Sequence, residues 1–204
     1  MGSNLSVAVF LQLESDSPGH SRVKLLVLLC PMMQALDFQL PSYISTQVVT
    51  QGPVYAAAWY MYCTGKLPAK LPSIVQNMHI SPEMKRSKYA QYVNLGEQAR
   101  SSVGSSTLYD KDLAKEFEKC ITDPYFSSLM APDLSKLPRT LVMTAEYDAL
   151  RDDGILLARR LKESGVKITH DHRSSGWHDI MSYTRTEGGR QALRYIVKFF
   201  KTHL

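Results

Sequence analysis

Apolar positions fall into two kinds of run along this chain, and their alternation predicts an α/β architecture. Residues 5–13 carry Leu5, Val7, Ala8, Val9, Phe10, Leu11 and Leu13, interrupted only by Ser6 and Gln12. A helix that is apolar on nearly all sides is expected to be buried on nearly all sides, so this segment reads as an interior helix. Residues 15–20 supply turn chemistry, with Ser17 a turn residue. The apolar run 23–29, stopped by Pro31, has the pattern of a fully buried parallel strand. The runs 141–144 and 166–169 repeat that pattern on either side of a helical segment, 152–165, whose inward face is Ile155, Leu156, Ala158 and Leu161 and which Gly165 ends. A last helix over about 187–201 should bury Ala192, Ile196, Phe199 and Phe200.

That order of strand, helix and strand places candidate chemistry. In a parallel βαβ unit the loops that follow the two strands emerge on one edge of the sheet. Asp148 follows the first strand and His178, in Gly176-Trp177-His178, follows the second. A carboxylate that accepts a hydrogen bond from one imidazole N–H leaves the other nitrogen free to act as a base, and acid before histidine is the tail order of α/β-hydrolase triads. The competing reading is a surface aspartate and an unrelated loop histidine. Asp152 and Asp153, in the first turn of the helix, are assigned to the helix dipole and to capping.

Between about 32 and 122 the pattern changes to short helical pieces in proline-rich connections. Pro53 opens an aromatic helix closed by Gly65; Ser81-Pro82 starts a second with Met84, Lys88 and Tyr92 at helical spacing; Asp110 caps a third, with Leu113 and Phe117 on one face. Lying between two sheet strands, such a region forms a cap over the strand ends. Its Trp59, Tyr60, Tyr62, Tyr89 and Tyr92 either wall an apolar pocket or make up the cap's own core.

Composition narrows the classes. A length of 204 residues suits one domain, and a net charge of +5 is modest. Much of the excess lies at Lys66, Lys70, Lys85, Arg86, Lys88 and Arg100 against Glu83 and Glu97. This patch is read as a solvated basic face that could also meet an anionic membrane surface; no nucleic-acid motif accompanies it. Cys30, Cys63 and Cys120 lack the short spacings that ligate zinc and leave the redox compartment open. His170-Asp171-His172 puts two imidazoles on one side of a strand, but His178 would need a sharp reversal to join them, so no metal is expected. The longest apolar runs fall short of the roughly 20 residues that span a bilayer, and the start lacks a signal peptide's pattern. Met1-Gly2-Ser3-Asn4-Leu5-Ser6 satisfies the myristoylation template, a short pattern that carries little information.

Several ordered blocks resemble the hormone-sensitive-lipase-like serine esterases, in particular the arylacetamide deacetylase and neutral cholesterol ester hydrolase type. They are residues 147–154 (Tyr147-Asp148-Ala149-Leu150-Arg151-Asp152-Asp153-Gly154), Gly176-Trp177-His178, the segment from Asp123 to Leu129, Leu137-Pro138-Arg139-Thr140, Pro31 to Asp37 and Leu40 to Tyr43. The resemblance implies the C-terminal portion of an α/β-hydrolase fold: three parallel strands, flanking helices and a helical cap insertion over about 37–122, in one partial domain spanning 1–204. It implies Asp148 and His178 as catalytic residues, no cofactor, a small lipophilic ester or arylacetamide as substrate, and a lumenal, endoplasmic-reticulum-membrane setting.

The resemblance also locates what the sequence does not contain. No Gly-x-Ser-x-Gly occurs in the chain. Gly2-Ser3-Asn4-Leu5 looks like the second half of the family's Gly-Asp-Ser-Ala-Gly-Gly-Asn-Leu, which sets Met1 immediately after the serine position. The expectation is therefore a chain that does not hydrolyse esters alone and whose strand 23–29 is a sheet edge open to self-association. The alternative is a non-catalytic relative that binds lipid or protein.

Overall fold

A computed structural model describes residues 1–45, 51–96 and 108–204. Glu97 and Arg100 of the basic patch lie outside them. The sheet has three parallel strands in the order β1 (Leu25–Leu29), β2 (Arg139–Tyr147), β3 (Ile168–Trp177), so β2 is central and β1 an edge. Helix α1 (Gly2–Asp16) precedes β1, α8 (Arg151–Glu163) connects β2 to β3, and α9 (Glu187–His203) ends the chain. Between β1 and β2 stand α2 (Pro41–Ile44), α3 (Gly52–Thr64), α4 (Leu71–Val75), α5 (Pro82–Lys85), α6 (Lys88–Tyr92) and α7 (Lys111–Ile121).

Alternation along the strands builds two cores. Leu26, Leu28 and Val142 face the larger one, with α1, α8 and the interstrand helices; Leu141 and Met143 face a smaller one closed by Ala192, Ile196 and Phe199 of α9. Phe200, expected inside, is 37% exposed because it lies beside Phe199, away from the sheet. In β1 only Leu26 and Leu28 are buried, and Leu25, Val27 and Leu29 are half-covered, since an edge strand has a neighbour on one side alone.

Helix α1 also departs from expectation. Asn4, Val7, Ala8 and Phe10 are buried, but Leu5, Val9 and Leu13, spaced by four, form an outward stripe about half exposed. Apolar composition all round did not bury it all round, because it packs only through the side turned to β1 and to the single turn Ser128–Met130. Asn4 binds that turn by donating to Phe126 O (2.7 Å) and accepting from Ser128 N (2.9 Å).

The interstrand helices form where turn and cap residues dictate. Gly65 ends α3 at φ +71°, and Asp110 Oδ1 accepts from Leu113 N at the start of α7. The helix expected after Ser81-Pro82 is two short ones, because Ser87 caps a fresh start at Lys88. The aromatic residues mostly fill this region's own core: Trp59 packs on Phe126 and Tyr60 on Phe117, while Tyr62 is half exposed. A disulfide the spacing did not suggest, Cys63–Cys120, joins α3 to α7.

Helix α8 approaches β2 closely at Gly154. A Cβ there would overlap the Thr144 methyl and come within 3.3 Å of the Pro31 ring. Gly154→Ala is expected to lower stability by about 1–3 kcal/mol through overpacking, despite alanine's higher helix propensity. Urea unfolding monitored by circular dichroism reads the shift.

Candidate active site

The three parallel strands deliver one chemically distinctive residue each to a common edge: Cys30 directly after β1, Asp148 after β2 and His178 after β3. The Cys30 sulfur, an Asp148 oxygen and a His178 ring nitrogen lie within 4.8 Å of one another.

His178 Nδ1 is 3.0 Å from both Asp148 carboxylate oxygens. Asp148 is wholly buried, and its Oδ1 also accepts from Leu150 N at 2.9 Å. A carboxylate held in this way accepts a hydrogen bond from Nδ1–H and leaves the Nε2 lone pair available, which is the tautomer a general base requires. The imidazole stays partly open, its side chain 28% exposed.

Local irregularity in β3 aims the histidine. Pairing steps from Ala145 opposite Arg173 to Tyr147 opposite Trp177, so β3 carries two more residues than β2 over that interval. Gly176 sits in the bulge, where a Cβ would meet Arg173 Cβ at 2.8 Å and Ala145 Cβ at 3.3 Å. The motif's glycine is therefore a packing requirement of the turn that presents His178.

Sequence reasoning missed two residues at the site. Tyr55 of α3 packs over the imidazole, ring centroids 5.8 Å apart, so the interstrand helices do reach the strand ends, through a tyrosine not among the five singled out. The other is Cys30. Its only sequence signal is its position directly after the strand and before Pro31.

Asp152 and Asp153 do more than answer a helix dipole. Asp153 accepts from Met33 N (2.8 Å), Gln34 N (3.3 Å), Gln34 Nε2 (3.0 Å) and Tyr43 OH (3.2 Å), and Asp152 accepts from Ser42 N (2.8 Å). These bonds tie the start of α8 to residues 33–43, the segment that follows β1. Burial pushes the Asp153 carboxyl up to about 7 against the opposing pull of those donors.

His170 and His172 share a face, as alternate strand residues must. Both meet the Thr144 hydroxyl, at 2.9 and 3.0 Å, and His172 Nε2 also pairs with Glu146 at 3.2 Å, whereas His178 is engaged at Asp148. Asp171 points away to Arg173. Among the described residues, Cys30, Asp148 and His178 are the donors close enough to share an ion. The Asp148 carboxylate and the Nδ1 edge of His178 are engaged with each other, and Cys30 Sγ accepts from Asp179 N, so the set reads as a hydrogen-bonded cluster.

Comparison with known proteins identifies the same fold. Residues 61–182 match a family described as alpha/beta hydrolase fold. Arylacetamide deacetylase of Bos taurus is 30% identical over 213 residues, covering all of this chain and 52% of that protein. Neutral cholesterol ester hydrolase 1 of Rattus norvegicus is 32% identical over 195 residues, covering 90% and 47%. The chain thus spans about half the length of these curated relatives. Among solved structures, a hyperthermophilic esterase from the archeon Pyrobaculum calidifontis superposes with a TM-score of 0.53 at 24% identity, over 98% of this chain and 50% of the other. No helix among the described residues is long and apolar enough to cross a membrane. With an Asp–His pair at the ends of adjacent parallel strands and a family match over most of its length, the chain belongs to the α/β-hydrolase fold family, in its hormone-sensitive-lipase-like branch.

Proposed function

We propose that this chain is the acid–base portion of a serine carboxylic-ester hydrolase acting on lipophilic esters or arylacetamides. The observation that carries the reading is the pair of 3.0 Å contacts from His178 Nδ1 to buried Asp148, with the outer ring face left partly open. In the reaction His178 Nε2 takes the proton of a serine hydroxyl as it attacks the carbonyl, then returns it to the leaving alcohol or amine. Asp148 holds the tautomer and stabilises the imidazolium. The serine is supplied by a segment outside this sequence, which contains no Gly-x-Ser-x-Gly. The names of the relatives support the substrate class.

The chain alone is expected to show no turnover of a short-chain aryl ester and no labelling by a serine-directed fluorophosphonate. Turnover by the purified chain that vanishes in His178→Ala would show that it holds its own nucleophile. Co-expression with the half of arylacetamide deacetylase that the chain does not span should restore hydrolysis that depends on His178. An assembled complex without turnover sinks the reading.

The disulfide Cys63–Cys120 supports an oxidising compartment, in keeping with a lumenal setting. A second reading, a non-catalytic relative that binds lipid or another chain, is favoured by the edge strand β1 and the outward stripe Leu5, Val9 and Leu13. Stoichiometric binding of a lipid or a second copy of the chain, with a reconstituted assembly that stays inactive, would select it.

A further inference from the structure

We infer that Cys30 is a positioning residue for the Asp148–His178 pair, its side chain holding the loops after β2 and β3 together. The inference deepens the hydrolase reading and rests on it, because only there does the orientation of His178 matter chemically.

The argument begins with backbone. Cys30 has φ +43° and Asp179 has φ +59°, and among the described residues the remaining non-glycine residue with positive φ is Asn77. Non-glycine residues adopt this region at a cost and keep it where surrounding contacts enforce it. Here the two are bonded to each other: Asp179 N donates to Cys30 Sγ at 3.5 Å. The Cys30 amide donates to Met143 O at 3.0 Å, which fixes the turn at the end of β1 against β2.

The sulfur reaches the acid as well. It lies within 4.8 Å of an Asp148 carboxylate oxygen, and burial, followed by that negative charge, keeps the thiol protonated beside the acid. One side chain therefore stands against the carboxylate that orients His178, its proton available to that oxygen, and accepts from the amide directly after His178. That accounts for a polar group buried at the meeting of three strand ends and for positive φ at Cys30 and Asp179. Because burial and the neighbouring carboxylate oppose the thiolate, Cys30 is a poor nucleophile and does not replace the missing serine.

The test uses the chain as it stands. Proton NMR detects the downfield Nδ1–H of His178, assigned by its loss in His178→Ala. In Cys30→Ala, with the amide spectrum of the sheet retained, exchange of this proton with solvent should accelerate by about tenfold or more. Cys30→Ser, whose hydroxyl can donate and accept at the same place, should recover most of the protection. A folded Cys30→Ala with wild-type exchange overturns the inference, as does a folded Cys30→Ser no better than alanine. Should alanine fail to fold, the S–H stretching band answers in the wild type, where Cys30 is the free thiol. It should lie below that of a free thiol and move in Asp148→Asn; a band at the free position refutes the bond. None of these signals requires turnover, so failure of the hydrolase reading would show in reconstitution and leave them unchanged.

Discussion

Removing the Cys63–Cys120 link by Cys63→Ser with Cys120→Ser is expected to lower the unfolding free energy by on the order of 4 kcal/mol, through the added freedom of the unfolded chain. The bridged cysteines are 57 positions apart, a long loop whose closure entropy is large. Little native contact opposes this estimate. Both cysteines are half-buried beside the aromatic packing of Tyr60 and Phe117, and serine fits either position without a clash. Urea titration of the double variant against wild type reads the change. A loss under about 1 kcal/mol would mean that the denatured chain is already compact across this region.

Asp153→Ala is expected to cost roughly 3–5 kcal/mol, because it strands the buried Met33 and Gln34 amides without an acceptor and leaves the Gln34 side-chain nitrogen with Asp37 O as its remaining partner. Its effect on pH dependence is more diagnostic. A carboxyl whose folded pKa is raised to about 7 contributes stability at low pH, and loses it as pH climbs from ~4 towards ~7. His79 works in the opposite sense. It is buried, its Nε2–H donates to Ala35 O at 3.0 Å, and burial lowers its pKa to about 4. Its stabilising contribution is present above its ordinary value and is lost as pH falls from ~6.5 to ~4.

The two windows overlap, so the contributions of Asp153 and His79 should largely cancel between pH ~4 and ~6.5. Asp153→Ala should unmask His79 and gain roughly 3 kcal/mol as pH rises through that range. Thermal or urea unfolding at several pH values measures this. A variant with the wild type's pH dependence would show that the two groups do not titrate as described.

The parts of the site that depend on chain direction were legible in the sequence. Asp148 and His178 meet because parallel strands send their following loops to one edge, and strand character at 141–144 and 166–169 was visible as apolar pattern. Cys30 was hidden because its role depends on register across two strand pairings and on a left-handed turn, neither of which leaves a pattern in apolar spacing. Tyr55 was hidden for a related reason: helical spacing places it on a face but cannot say which face of a cap helix meets the sheet edge. The disulfide escaped because its two cysteines sit on separate helices that only tertiary packing brings together. Composition misled outright at α1, where apolar residues on every side implied complete burial, while Leu5, Val9 and Leu13 face outward. Asp153 looked like a dipole partner because local position was all the sequence offered, yet its bonds run to residues 120 positions away.

The register of the sheet has a bearing on how the protein is made. Leu25 pairs with Arg139, so β1 leaves the ribosome well before β2 and waits for the intervening helical excursion to be translated before it can pair with it. Pairing at such sequence separation slows folding, and the waiting strand offers bare apolar side chains and amides in the meantime. A chaperone that shields residues 25–29 during synthesis would thus influence yield far more than one acting on α8 and β3, which can assemble on β2 as soon as they appear.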